Sequence, residues 1–515
     1  MSQNDIRNTK NIAKNTVFLY MRSIVVMVVG IYTSRLVLQA LGVDDYGVYN
    51  VIGGFVAMFS ILSASLVNAS QRFISYEMGK REPKMNRMFC GTMSIHLLLA
   101  LIVLVAFETF GIWFLNTKLN INPDRIYAAN WVFQCSVFTF CINLISVPYN
   151  ACIISHEKMN VFAYISIYEA FAKLGIVYLL WATGYDKLIV YALLMLVISV
   201  SLRIIYGIYC KRHFEECHFH FLIDKPLFKE IMGFIGWNFF GSTAGVLSTQ
   251  GINILINIFF GVALNAARGL AEQINNAINT FVNNFMTALN PQITKSYAAG
   301  DYDYMKILMV RGAKYTAVLY WLVALTIFVE ARELLEVWLV EVPKYAPIFL
   351  RLTIIYSIFR SMAIPIYTGM LATGNIRNYQ LVMCGLHLSA FVLCYLFFAA
   401  GLGPEFGYIA TIIIAFVQLF VRLKLISDII PGFPMKLFFK DAVLRAFCVV
   451  LLTTCIVWFL KNTLVISNVY VEIVIILAIS ISLVGIATYT IALSKNEKCK
   501  FKELFITRIT RYIGK

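Results

Sequence analysis

Charge is what this chain has least of. Asp, Glu, Lys and Arg make up 14% of its 515 residues, where an average soluble domain carries roughly 25%. So small a fraction cannot clothe a water-facing surface, and a soluble globular protein of this size is excluded. Signatures of catalysis and nucleotide handling are missing as well. No Gly-rich Walker loop, His-Glu-x-x-His helix or Gly-x-Ser-x-Gly elbow occurs, and no polar stretch is long enough to form a nucleotide-binding domain, which argues against ATP hydrolysis and hydrolase chemistry. Eleven cysteines are present, but none falls in an outer loop of the topology derived below, so no disulfide framework is implied.

What the sequence does have is apolar length. Apolar residues make up 60% of the chain, and runs of about 20 recur from Asn15 almost to the C-terminus, each enough to cross roughly 30 Å of hydrocarbon as a helix. The pattern predicts an all-α integral membrane protein of about fourteen transmembrane helices. Residues 1–14 read as a cytoplasmic N-terminus, 15–210 as a lobe of six helices and 211–230 as a cytoplasmic loop. A second six-helix lobe follows over 231–428, then two further helices within 429–493 and a basic cytoplasmic tail over 494–515. The first helix is too long for a signal peptide and lacks a cleavage site behind it, so Met1 is expected to begin the mature chain.

A net charge of +16 raises nucleic acid as a partner, and the placement of the cations answers it. With the N-terminus inside, about 31 of the 43 Lys and Arg fall in the N-terminus, the even-numbered connections and the tail, and about 6 in the opposite loops. That bias predicts an N-in, C-in orientation, with groups such as Lys80, Arg81, Lys84 and Arg87 anchored beside anionic membrane lipids and no nucleic-acid site. Cys210, His213, Cys217, His218 and His220 cluster in one inner loop, but their spacing matches no standard ligand set and reads as an ordinary interfacial loop.

A weak internal duplication appears at a shift of about 220 residues. Gly42-Val43 matches Gly261-Val262, and Ser75-Tyr76-Glu77-Met78-Gly79 matches Ser296-Tyr297-Ala298-Ala299-Gly300. Six spans separate the copies, which predicts two lobes related by an axis along the membrane normal. On the eighth predicted helix Asn265, Arg268, Glu272, Asn276, Asn279, Asn283, Thr287 and Asn290 recur every three or four residues and draw one polar stripe. Fainter stripes run through Ser60, Asn68 and Gln71 on the second helix and through Asn238, Ser242, Thr249, Asn253 and Asn257 on the seventh. Hydrogen bonds between helices would explain such residues singly. A stripe spanning the bilayer points instead to a water-filled cavity between the lobes, lined by helices 7 and 8 and their counterparts 1 and 2.

Six cations remain inside predicted spans: Arg22, Arg35, Lys173, Arg268, Arg351 and Arg360. Each is penalised by about 2.5–3.5 kcal/mol at a helix centre, so each needs a reason. Glu169–Lys173 and Arg268–Glu272 are spaced to pair along one helix face, while Arg22, Arg35 and Arg351 lie near enough to a boundary to snorkel. Arg360 lies near mid-span, five residues before Pro365, where a kink would open the helix toward a cavity. Guanidinium groups in such a cavity favour an anion, phosphate above all. Glu108, Glu169 and Glu272 are the clear intramembrane acids, and Glu272 is the candidate for coupling to H+ or Na+.

The stretch Thr33 to Asn50, with its Leu41-Gly42-x-x-x-Tyr46-Gly47-x-Tyr49 core, resembles the first hairpin of Wzx-type polysaccharide-unit flippases, a polysaccharide transporter branch of the MATE/MOP exporter superfamily. The resemblance extends through Arg72 to Lys84 and, by helix count, over nearly the whole chain. It implies a V of two six-helix bundles plus two C-terminal helices, in a bacterial cytoplasmic (inner) membrane. It also implies transport, not catalysis, of a polyprenyl-diphosphate-linked glycan, a substrate-binding cationic cavity matched here by Arg35, Arg268, Arg360 and Arg22, no cofactor beyond a coupling ion, and partnership with glycan polymerase or assembly proteins. The dense arginine group of peptidoglycan-precursor flippases is not present. A drug exporter of the same fold and a membrane glycosyltransferase using Asp44 and Asp45 are the alternatives, together with a non-transporting scaffold.

Overall fold

Without water, backbone N–H and C=O groups must be satisfied within the chain, and a helix does this inside one segment. The computed structural model describes residues 3–42, 45, 46, 48, 49, 52, 53, 56, 59–118, 123–222, 224–339, 342–464, 468–494, 497 and 498, and no strand occurs among them. The long helices of the first half are α1 (Gln3–Leu41), α2 (Ser60–Met78), α3 (Met85–Ala106, continued by a π-turn at Phe107–Gly111 and by Ile112–Lys118), α4 (Ile126–Ser155), α5 (Met159–Ala182) and α6 (Lys187–His213). Next come α7 (Lys225–Phe260), α8 (Val262–Ala298), α9 (Tyr302–Val329), α10 (Ala346–Thr373), α11 (Arg377–Ala399) and α12 (Glu405–Ile429). The last two are α13 (Arg445–Thr463, entered through a π-turn at Phe438–Leu444) and α14 (Val469–Ala487).

Among the described residues, twelve helices are long and apolar enough to cross a membrane. The other two expected spans, 46–71 and 264–291, fall short for different reasons. The first begins in residues largely outside those described and continues as α2. The second is α8, whose 37 residues would extend about 55 Å but whose asparagines depress its hydropathy. Length and composition alone thus identify twelve of the expected spans among the described residues.

Packing divides the chain into two compact units. The first comprises Met1–Thr243, Thr287–Asp301 and Leu371–Arg377; the second comprises Ala244–Met286, Tyr302–Met370 and Asn378–Lys515. The boundaries at 243/244, 286/287 and 370/371 cut through helices, because parts of α7, α8 and the α10–α11 turn pack with first-half helices.

Within the first unit the two copies of the duplicated motif meet. The rings of Tyr76 and Tyr297 lie 6.2 Å apart, and a Cβ on Gly79 would fall 2.5 Å from the Lys295 carbonyl oxygen, so only glycine fits there. Gln292 and Lys295 donate to the Glu157 carboxylate at 2.6 and 2.9 Å. Arg72 stacks on Phe73 and Tyr76, donates to the Ala372 carbonyl at 3.3 Å and lies 3.6 Å from Glu230. The other matched pair has a backbone origin: Gly42 and Gly261 both take the left-handed conformation, at φ of 80° and 86°, which side-chain-bearing residues adopt at a cost. Arg125 joins Asp45 to Asp186, so Asp45 is tied to the start of α4 and the start of α6; Asp44 lies outside the described residues.

The second unit is organised around charge buried with its partners. Lys314 on α9 is fully buried and donates to Glu497 at 2.8 Å and Asp441 at 3.1 Å. Tyr315 adds a hydrogen bond to Glu497 at 2.9 Å, and Arg445 pairs with Asp441 at 2.9 Å. Burial alone would push the Glu497 carboxyl up, but Lys314, the Ser494 backbone and Tyr315 outweigh it and hold it at about 2. The network attaches α13 and the segment after α14 to α9. Pro365 lacks the N–H that the Ser361 carbonyl would accept within α10, and the Thr316 hydroxyl donates to that carbonyl at 2.9 Å instead. The helix runs unbroken through the proline. Arg351 does not snorkel: it donates to the Phe328 and Val329 carbonyls, where a cation complements the C-terminal end of α9.

Lys314→Met leaves two carboxylates buried without their shared partner, which costs about 3–5 kcal/mol. Thermal unfolding of the detergent-solubilised protein is expected to show a clear drop in Tm for this variant. Part of it is expected to return in Lys314→Met/Asp441→Leu/Glu497→Leu, which removes both buried carboxylates and leaves unpaired only Arg311 and Arg445, whose side chains are partly exposed.

Candidate functional site

The polar stripe of α8 enters the second unit at Arg268 and Glu272, one turn apart on one face. Opposite them, α10 presents Thr353, Tyr356 and Arg360, and α12 presents Tyr408, Thr411 and Gln418. Ser248 and Thr249 of α7 and His387 of α11 complete the wall of a cavity of about 110 Å³. At about 10–15 Å³ per enclosed water, it has room for several.

The charges in this wall do not neutralise one another. Arg268 is buried, its guanidinium 5.5 Å from the Tyr408 ring centroid, and Arg360 keeps much of its surface outside the packing. Among the described residues, none of Arg268, Arg360 and Glu272 belongs to an ion pair. The expected Arg268–Glu272 pair therefore does not form, whereas Glu169–Lys173, with the same spacing, closes at 2.6 Å. Two guanidiniums thus face one carboxylate across a polar hollow. The remaining wall is held by its own hydrogen bonds: Ser248 donates to the His387 carbonyl at 2.7 Å, and the Gln418 amide lies 3.5 Å from the His387 ring nitrogen Nδ1. Behind α8, the Asn275 side-chain oxygen accepts from Tyr320 at 2.8 Å and Ser357 at 2.9 Å, which fixes the rotation of the helix that carries Glu272.

The expected site residues divide accordingly. Arg268, Glu272 and Arg360 converge on this cavity, while Asn253, Asn276, Asn279 and Asn283 do not line it. Asn253 bonds to Gln250 at 2.9 Å and Asn279 to the Asn275 carbonyl at 3.0 Å, and Asn276 and Asn283 are exposed. Arg22, Arg35, Asn68 and Asn238 belong to the first unit. There Arg22 sits 4.5 Å over the Phe162 ring, Arg35 is exposed, Asn68 is half-buried and Asn238 is fully buried. Among the described residues, no cluster of three or more His, Cys, Asp or Glu is arranged to hold a metal. The Cys/His loop is occupied with packing instead: His156 bonds Glu216 at 2.6 Å, and Cys90 contacts His220 at 3.4 Å. Sequence reasoning missed Thr353, Tyr356, His387, Tyr408 and Gln418. The spacing of Thr353, Tyr356 and Arg360, at steps of three and four, and of Tyr408, Thr411 and Gln418, at steps of three and seven, carried a signal, since both sets fall on one helix face.

Solved structures share the fold. A multidrug resistance MATE family transporter of the MOP superfamily, in an outward-facing conformation, matches with a TM-score of 0.72 at 12% identity, over 83% of this chain and 97% of its own. A MATE protein in complex with MaL6 matches at 0.67 and 11% identity, over 82% and 97%. A MOP superfamily transporter from Pyrococcus furiosus Vc1, described as having a binding pocket of reverse polarity that suggests a different function, matches at 0.66 and 12% identity, over 82% and 96%. No curated protein matches by sequence. These matches show that the chain has the fold of MATE/MOP proteins, and its long apolar helices make it a multi-pass membrane protein. The profile of the polysaccharide biosynthesis protein family matches residues 10–297, more than half of the chain, and the chain belongs to that family.

If the cavity is wet and cationic, a cysteine in its wall discriminates between reagents by charge. Thr249→Cys, in a background with the native cysteines replaced, is expected to react roughly tenfold faster with a sulfonate-bearing methanethiosulfonate than with its trimethylammonium analogue. Loss of that preference in Thr249→Cys/Arg360→Ala would assign it to Arg360.

Proposed function

We propose that this protein moves an oligosaccharide joined through diphosphate to a polyprenol from the inner to the outer leaflet of a bacterial cytoplasmic membrane, with both termini in the cytoplasm. The observation that carries the reading is the convergence of Arg268 and Arg360, without ion-pair partners among the described residues, on one cavity of a polysaccharide-family transporter. Planar guanidiniums take phosphate oxygens two at a time and keep their charge at every relevant pH. The cavity's volume suits a phosphate group and excludes an oligosaccharide, so it takes the head of the lipid linkage while glycan and tail remain outside it. Outward movement of an anion across an inside-negative membrane is favourable by about 2.3 kcal/mol per charge per 100 mV.

Alternating access converts this binding into transport provided that affinity differs between the two states. Glu272, the carboxylate of the cavity wall, is the place for coupling to H+ or Na+. Glycan polymerase and assembly proteins are the partners that would consume the product. The same-fold alternative, export of cationic drugs, suits acidic and aromatic walls, and two guanidiniums weigh against it. The P. furiosus relative, with its pocket of reverse polarity, is a precedent for one fold with a changed electrostatic sign.

In a host strain lacking the gene, Arg268→Ala and Arg360→Ala are expected to insert normally and to lower surface glycan at least tenfold, with lipid-linked glycan retained on the inner leaflet. Losing one charge-assisted contact of about 1.5–3 kcal/mol accounts for that factor. Arg360→Lys is expected to restore part of it, since charge persists without the planar fork. Normal surface glycan in both alanine variants would remove the cavity from the mechanism.

A further inference from the structure

The cavity's charges fix the sign of any proton linkage. Resting on the reading of the cavity as an anion site, we infer that anion and proton bind there together, the proton on the Glu272 carboxylate. Five elements bring titratable or charged groups toward that carboxylate. Arg268 stands one turn before it on α8; α9 brings Tyr320, which is within electrostatic reach of both Glu272 and Arg360; α10 brings Tyr356 and Arg360; α11 brings His387; and α12 brings Tyr408.

With the cavity empty and Glu272 a carboxylate, its two guanidiniums leave the wall one net positive charge while His387 is neutral. An anion seated against Arg268 and Arg360 offsets their hold and adds its own repulsion, so a proton from solvent joins a Glu272 oxygen. The wall then presents two positive charges to the anion. Linkage is reciprocal: whatever the anion does to proton affinity, the proton does to anion affinity. When the anion leaves, the guanidiniums again favour the carboxylate and the proton returns to solvent on the side of release.

The consequence concerns direction. Exchange, in which a proton occupies Glu272 only after the anion has left, has the wrong sign here, because the empty cavity is where Glu272 holds a proton least. Proton and anionic head group travel as companions through this cavity, and each proton so carried reduces by one the charge moved across the membrane. A sodium ion in the proton's place would set a third cation among the guanidiniums, whereas a proton forms a covalent O–H and needs no coordination shell.

The test uses the full chain in detergent and sodium sulfate as the probe, since sulfate holds a constant charge between about pH 5.5 and 8 while phosphates do not. Isothermal titration at constant ionic strength, in buffers of different ionisation heats, reads both affinity and proton uptake. Wild type is expected to bind sulfate on the order of tenfold more tightly at about pH 5.5 than at about pH 8, with proton uptake per sulfate rising toward one at the lower pH. Glu272→Gln, nearly isosteric, is expected to bind at both pH values as wild type does at the lower one; Glu272→Asp retains the dependence. His387→Gln keeps the tenfold ratio whatever its absolute affinity. The inference is overturned by pH-independent binding in wild type, by weaker binding in Glu272→Gln than in wild type, or by a dependence that vanishes with His387 and not with Glu272. Absence of sulfate binding in wild type overturns the anion reading itself, whereas sulfate binding that is lost in Arg360→Ala but indifferent to pH leaves that reading intact and sinks only the proton linkage.

Discussion

A guanidinium in hydrocarbon must be compensated, and that constraint orders the structure. Lys314 is buried between two carboxylates, Lys173 closes on Glu169, and Arg351 caps the carbonyl end of α9. Arg268 and Arg360 are compensated differently, by a polar hollow with room for water and for an anion. Where a cation has carboxylate or carbonyl partners it holds helices together; the proposed function assigns the two cavity arginines, which have no ion pair among the described residues, to a ligand.

The duplication and the cavity illustrate how local chemistry reaches the site. Gly42 and Gly261 end α1 and α7 in the same left-handed conformation, and Gly261 hands the chain to α8, which bears the polar stripe. In the second half that stripe is strong, and its first turns supply Arg268 and Glu272. Tyr320 and Ser357, both bonded to Asn275, lock the rotation of α8 and so decide which stripe residues enter the cavity. The asparagines that make α8 a poor membrane span by composition are thus inseparable from the helix that makes the site.

Membrane class, helical architecture and the convergence of Arg268, Glu272 and Arg360 were legible in the sequence, because hydropathy and helical periodicity are one-dimensional signals. What was not legible depended on partners distant along the chain. Lys314 reads as an inner-boundary lysine, and Asp441 and Glu497 lie more than a hundred residues away. Arg351 reads as a snorkelling residue because the carbonyls it caps belong to another helix. The Arg268–Glu272 pair has ideal spacing and does not form, since spacing puts two side chains on one face without choosing their rotamers. Asn238 sits on a polar stripe yet is fully buried, a reminder that a stripe marks a face and not what covers it.

The central claim is that Arg268 and Arg360 hold an anion between them inside the second unit. Crystals of the full chain soaked with selenate, phased on the anomalous signal of selenium, test this most directly. The account predicts an anomalous peak within hydrogen-bonding distance of both guanidinium groups. A cavity with no peak, its arginines turned onto Glu272 or out of the cavity, would contradict it.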